Sequence, residues 1–145
     1  MNMHVSPTPL DIVLLLHRAR TSIVREVDRA VNAHGIGFSD FTLLRELSST
    51  PEGRMRRSDL AETLGVTTSA VARQLVPLER IGVVARESNP RDARIALVVL
   101  TEAGARVVEE ATVIAQERSE SALDRIWSRD EREQLANLLA NAAPR

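Results

Sequence analysis

At 145 residues, with 43% hydrophobic and 27% charged residues and a formal net charge of −1, the chain lies in the ordinary globular range, far from the composition of disordered chains. It contains no Cys, which excludes disulfides, thiol nucleophiles, cysteine zinc sites and thiol-based redox sensing. No stretch approaches the roughly 18–20 apolar residues of a membrane span, and Met1 to Pro9 lacks the basic and apolar regions of a signal peptide, so a single cytoplasmic domain over residues 1–145 is expected.

In chain order, Thr8, Pro9 and Asp11 have the spacing of a capping box with Pro at the first helical position. Ile12, Leu16, Ala19, Ile23, Val27 and Ala30 then recur at helical intervals, Arg18, Arg25 and Arg29 fall off that stripe, and Gly35 supplies a stop. A long helix over 8–34 follows, and its stripe needs either the rest of the domain or a second subunit to cover it. Ser39 is the expected cap of a shorter helix carrying Phe41, Leu44 and Leu47, which Pro51 and Gly53 end. The basic stretch Arg54-Met55-Arg56-Arg57 leads to Ser58, read as the cap of a helix with Leu60, Ala61 and Leu64. Gly65 and Val66 break that helix and Thr67 caps another, through about Ile81, which is the spacing of a helix-turn-helix.

After Gly82 the period changes from helical to alternating. Val83–Glu87 reads as one strand and Arg94–Leu100 as another, with Ile95, Leu97 and Val99 on one face and the polar segment 88–93 as the loop between them. Residues 39–100 therefore read as a winged helix-turn-helix. Thr101 and Gly104 open a long helix with Val108, Ala111, Ala115, Ala122 and Ile126 in register; Ser128 and Glu131 form a capping box for a last helix with Leu135, Leu138 and Leu139. The expected fold is mainly α with a small β-hairpin wing, flanked by long terminal helices at 8–34 and 101–143; only Met1–Ser6 and Ala143–Arg145 are expected to be flexible.

The charge is unevenly placed. Residues 54–100 carry 8 Arg against 5 acids, whereas residues 1–53 carry 5 against 6 and residues 101–145 carry 6 against 9. Every basic residue other than His is Arg, which suits phosphate and guanine edges, although a general preference for Arg codons explains it without function. On the helix from Thr67, Val71, Leu75 and Leu78 share one face, and Ser69, Arg73, Val76 and Arg80 the opposite one. Thr67, Thr68 and Ser69 at the helix start suit bases or phosphates, Ser58 opens the preceding helix, and Arg73 reaches guanine or the backbone. In the wing, Arg91 and Arg94 suit a narrow minor groove, with Asp92 orienting a neighbouring Arg. A solvated helix face and a solvated turn are the plainer readings of each group alone.

An enzyme needs converging acids, bases, nucleophiles or metal ligands. His4, His17 and His34 have no ligand-like spacing and there is no Gly-rich phosphate loop, so no catalytic, metal or cofactor site is expected. The rival within the same fold is a winged helix used only for protein interaction. For a small ligand, the residues of interest are His17, Arg20, His34 and Trp127, between the terminal helices and the winged module; surface histidines, a solvated Arg and a packed Trp are the plainer readings, and none of the four is taken as a site.

The string Ser58-Asp59-Leu60-Ala61-Glu62-Thr63-Leu64-Gly65-Val66, followed by Leu78-Glu79-Arg80-Ile81-Gly82-Val83-Val84-Ala85-Arg86, resembles the "LA..LG" and "LE..G.V.R" signatures of the multiple-antibiotic-resistance regulator (MarR) family. Pro90-Arg91-Asp92-Ala93-Arg94 and Leu100-Thr101-Glu102-Ala103-Gly104 are similar to its "D.R" and "LT..G" motifs. The resemblance implies a homodimer formed by the terminal helices, binding of double-stranded DNA at a pseudo-palindromic operator, repression, and release of DNA by a small anionic or aromatic effector. It also places Arg94 in the minor groove. Pro77 departs from a regular recognition helix and should kink it at a cost of about 3 kcal/mol. Ala93 stands where many relatives carry a second basic residue, and the lack of Cys excludes the family's peroxide-sensing mode.

Overall fold

The first helix, α1 (Pro9–Val31), starts where the local chemistry places it. Thr8 Oγ1 accepts the Asp11 N–H at 3.2 Å while Asp11 Oδ2 accepts the Thr8 N–H at 2.9 Å and its hydroxyl at 2.7 Å. Those bonds, the hydroxyl first, hold the exposed Asp11 carboxyl below its ordinary range. α1 ends in a 3-10 turn at Asn32–His34 and at Gly35, whose φ of 77° suits a residue without a Cβ. A computed structural model of the chain describes residues 6–89 and 91–143, with residues 89, 93 and 94 described by backbone alone. Of the ends expected to be flexible, residues 1–5, 144 and 145 lie outside the described residues.

Helix α2 (Phe38–Ser48) begins at Gly37, so Ser39 is its second residue and not its cap. The capping falls to two aspartates: Asp28 of α1 accepts the Phe38 N–H at 2.7 Å and Asp40 accepts the Gly37 N–H at 3.2 Å. A partner ten residues back, on another helix, leaves no local pattern. Similarly, α3 (Arg57–Leu64) starts one residue before Ser58, whose hydroxyl donates to Asp59 at 3.1 Å and caps nothing. Gly65 (φ 65°) ends α3, and Thr67 caps α4 (Thr68–Arg80), accepting the Ala70 N–H at 3.1 Å. α4 is continuous through Pro77, whose carbonyl accepts the Ile81 N–H at 3.1 Å. The missing Pro N–H strands the Arg73 carbonyl, but Pro77 is exposed and water reaches this side of the helix.

The sheet has three strands rather than the two expected: β1 (Arg54–Arg56), β2 (Val84–Asn89) and β3 (Asp92–Leu100), in the order β1-β3-β2, all antiparallel. Three residues are too few to show an alternating pattern; β1 exists because β3 offers it a free edge, pairing Met55 with Val98. The wing strands also run further than expected, into the segment 88–93. Beyond Ser88↔Ala96 the next pair is Asn89↔Asp92, so β3 carries residues 93–95 where β2 carries none, a bulge at the wing tip. Ile95, Leu97 and Val99 do alternate, but β3 buries Val98 on the other face, with Val84 of β2 and Met55 packed on the same side of the sheet.

Helix α5 (Glu102–Asp124) buries Val108, Ala111, Ala115 and Ala122, while Ile126 lies past its end and is 53% exposed. α6 (Arg129–Ala142) has the expected box but no buried residue. The core gathers Val27 and Val31 of α1, the inner faces of α2 to α5, and the sheet, with no buried polar residue among those described. No helix among the described residues is long and apolar enough to cross a membrane.

One junction joins the winged module to α5. Thr101 donates its N–H to Val83 O (3.2 Å) and its hydroxyl to Gly82 O (2.7 Å), and its Oγ1 accepts the Gly104 N–H (3.0 Å). Gly104 consequently sits so close that a Cβ there would lie 2.0 Å from Val83 O. Gly104→Ala is expected to destabilise the fold by at least about 1–3 kcal/mol, since backbone must shift to relieve the overlap; denaturant unfolding checks it. At α6, Glu131 accepts the Ser128 N–H and hydroxyl, each at 2.8 Å, and these bonds, the backbone one first, hold its carboxyl below the ordinary range. Its folded pKa lies below the unfolded one, so the stabilisation is present above the ordinary glutamate range and is lost as pH falls through the depressed value. Amide protection in the first turn of α6 should therefore fall in acid by hydrogen exchange, and Glu131→Gln should abolish that pH dependence.

Candidate nucleic-acid interface

The recognition surface follows from how α4 is held. Val71, Leu75 and Leu78 are at most 2% exposed and face α3 and the core, where Leu60 and Ala61 meet them. Gln74 fixes the helix from the side, its amide donating to Asp40 Oδ1 at 3.0 Å and Ser39 Oγ at 3.2 Å on α2. That leaves Ser69, Arg73, Val76 and Arg80 in solvent, as the helical spacing predicts. Thr67 is exposed but its oxygen is committed to the cap, whereas Thr68 and Ser69 are exposed and their hydroxyls hold no bond among the described residues. Arg73 likewise makes no ion pair among the described residues.

Other arginines of the basic segment are neutralised. Arg86 of β2 pairs with Glu79 of α4, and Arg54 of β1 pairs with Glu52 and with Glu87 of β2, each at 3.2 Å. Ion pairs this exposed contribute little to stability, about 0–1 kcal/mol each, but they remove two of the segment's acids, Glu79 and Glu87, and the neighbouring Glu52 from competition with the remaining cations. Arg91 and Asp92 are exposed at the wing tip. Arg94 lies in β3 on the bulge, and its side chain falls outside the described residues.

Ser58 and Thr68 come together around a cleft of about 240 Å³ that Arg56, Arg57 and, from β3 beside the bulge, Ile95 and Ala96 also line. Arg56 and Arg57 were visible as part of a basic run, yet nothing in the run says that β1 pairs with β3 and so carries them to the start of α4. The four ligand-minded residues separate. Arg20 and Trp127 line an apolar groove of about 390 Å³ between α1 and α6 with Leu16 and Leu135, whereas His17 lies on another face of α1 and His34 Nδ1 stands 3.5 Å from Glu110 of α5. Among the described residues, no group of three His, Cys, Asp or Glu side chains is placed to hold a metal ion.

A helix-turn-helix that turns hydroxyls and an unpaired arginine outward, beside a bulged hairpin, defines a winged-helix DNA-binding transcriptional regulator. Residues 39–96 match the family model described as MarR family. The chain is 32% identical over 101 residues, 70% of this chain and 68% of the other, to YxaD, an uncharacterised HTH-type transcriptional regulator of Bacillus subtilis (strain 168). Its fold is similar to that of Sco3205, a MarR family transcriptional regulator from Streptomyces coelicolor solved in complex with DNA (TM-score 0.82, 22% identity, 97% of this chain and 91% of that chain). It is also similar to a mutant MarR from E. coli complexed with operator DNA (TM-score 0.81, 25% identity, 96% and 100%). The chain belongs to the MarR family; it is a transcriptional regulator and not an enzyme.

Two neighbouring substitutions separate exposure from support. Arg73→Ala should leave the stability of the free protein within the range of about ±0.5 kcal/mol seen at solvated positions. Gln74→Ala, which strips the bonds to Asp40 and Ser39, should cost about 1 kcal/mol. Thermal melts of the two variants check both.

Proposed function

We infer that the chain is a cytoplasmic homodimeric repressor that binds a pseudo-palindromic operator in double-stranded DNA and releases it when a small anionic or aromatic ligand binds. The observation that carries the dimer is the uncovered apolar surface of the terminal helices. Leu10, Val13 and Leu15 of α1 are 66%, 61% and 57% exposed, and Leu138 of α6 is 69% exposed. Isolated apolar residues on a surface need no explanation, but a contiguous band on two helices marks an interaction site. A second copy of the chain fits it, because the band lies on α1 and α6 and takes in no residue of α4 or of the wing, so a two-fold axis there leaves both recognition helices free.

In this arrangement two α4 helices enter successive major grooves about 34–36 Å apart, with the wings in the flanking minor grooves. Thr68, Ser69 and Arg73 contact base edges or phosphates, and Thr67 and Ser58 lie at the rim. Arg91 and Arg94 enter the minor groove with Asp92 orienting them. The ligand's binding place is the apolar groove that Trp127 and Arg20 line, which takes an aromatic ring and leaves its carboxylate at the rim.

Sedimentation at micromolar concentration should give the mass of two chains, and Leu15→Glu with Leu139→Glu, both on the groove, should give one. Fluorescence anisotropy with duplex from upstream of the protein's own coding sequence should show competitor-resistant binding that weakens steeply with salt and falls clearly in Arg94→Ala. A monomeric native protein, or no binding to that duplex and to genomic fragments alike, defeats this reading.

A further inference from the structure

We propose that Arg56, Arg57, Ser58 and Thr68 form an anchor for a DNA backbone phosphate beside the base-facing surface of α4, a proposal that rests on the DNA-binding reading above. The four side chains come from the end of β1, the first turn of α3 and the first turn of α4, and they line one cleft of about 240 Å³. Two guanidiniums and the Thr68 hydroxyl make a donor set with the preferences of a phosphate oxyanion, and Ser58, whose proton goes to Asp59, completes the wall.

The ion pairing nearby sharpens the assignment. Arg54, two residues from Arg56 on the same strand, is held by Glu52 and Glu87. Among the described residues Arg56 and Arg57 have no carboxylate partner, and the Arg57 Nε is buried with no hydrogen-bond acceptor. Buried donors in folded proteins are satisfied in about 90% of cases or more, so an arginine that lines an open cleft with its Nε unsatisfied and its guanidinium in no ion pair among the described residues suits an acceptor that arrives from outside. The adjacent carboxylate, Asp59, takes the Ser58 hydroxyl at 3.1 Å and neither guanidinium. Neighbouring Ile95 and Ala96 close the far wall without adding an acceptor side chain.

Position makes the acceptor a DNA phosphate. Thr68 belongs both to this cleft and to the exposed row that continues through Ser69 and Arg73, so a duplex that presents bases to that row passes its backbone along the cleft. Phosphate contacts fix register without reading sequence. They thereby predict a signature different from that of Arg73.

Anisotropy across a salt series, on the upstream duplex and on a scrambled duplex of the same length, separates the two. Arg56→Ala and Arg57→Ala should weaken both duplexes by the same factor and lower the magnitude of the slope of log K against log salt by about 1 each. Arg57→Lys should restore most of the slope, and Arg73→Ala should instead change the ratio between the two duplexes. Arg56 is exposed, so its variant tests the anchor even where Arg57→Ala perturbs folding. Unchanged slopes in a folded dimer of both variants overturn the anchor while leaving the DNA-binding reading intact, as does a loss confined to the upstream duplex. A native protein that binds neither duplex removes the reading and the anchor together.

Discussion

The structure turns on the contact between Gly104 and the Val83 carbonyl. A Cβ at position 104 would lie 2.0 Å from that oxygen, so the first turn of α5 can reach the end of α4 only as glycine. Thr101 then bonds both Gly82 O and Val83 O, and the Gly82 N–H bonds Glu79 O on the last turn of α4. Three pieces, the end of the outward-facing helix, the start of the wing and the start of a 23-residue core helix, are therefore one hydrogen-bonded unit. Residues that a motif shows as "LT..G" are a mechanical joint. A displacement of α5 cannot leave α4 where it was.

Much of this frame is legible in the sequence because its signals are local. Thr8, Thr67, Thr101 and Ser128 each cap the helix they precede, since a hydroxyl three residues from an orphan N–H has no better use. Ser39 and Ser58 carry the same signal and do not cap, because Asp28 arrives at α2 from α1 and α3 starts directly from β1. β1 and the inner face of β3 were invisible for a related reason. A three-residue strand is decided by the edge it pairs with, and β3 has apolar residues at nearly every position from Ile95 to Leu100. Alternation alone therefore does not say which face is inward, and the packing of Met55 and Val84 against Val98 decides it. The same pairing of β1 moves Arg56 and Arg57 from a basic run into a cleft.

The net charge of −1 misleads as a guide to partners because it weighs every charge equally. Glu52, Glu79 and Glu87 are each occupied by Arg54 or Arg86, and the acids of α5 and α6 lie on other elements. At the Debye length of about 8–10 Å in ordinary salt, a phosphate near α4 feels the local arginines and little of the acidic flank. Distribution, together with which cations remain unpaired, carries the electrostatic argument.

The terminal helices supply the other half of the constraint. A 14-residue helix such as α6, with no buried residue, lies near the length below which an isolated helix is marginal in water, so its order has to come from packing against something. Within the chain α6 is tied by Arg132 to Asp124 at the end of α5, and Arg125 ties that same end to Glu26 of α1. On the proposed dimer the partner covers the remaining apolar faces, and the spacing of the two α4 helices is set by how α1 and α6 pack. A ligand at Arg20 and Trp127 would then occupy the surface that fixes this spacing. It would release DNA only to the extent that it bound the altered spacing more tightly than the one matching about 34–36 Å. Through α5 and the Gly104 joint, such a change reaches α4 without any deformation of the winged module itself.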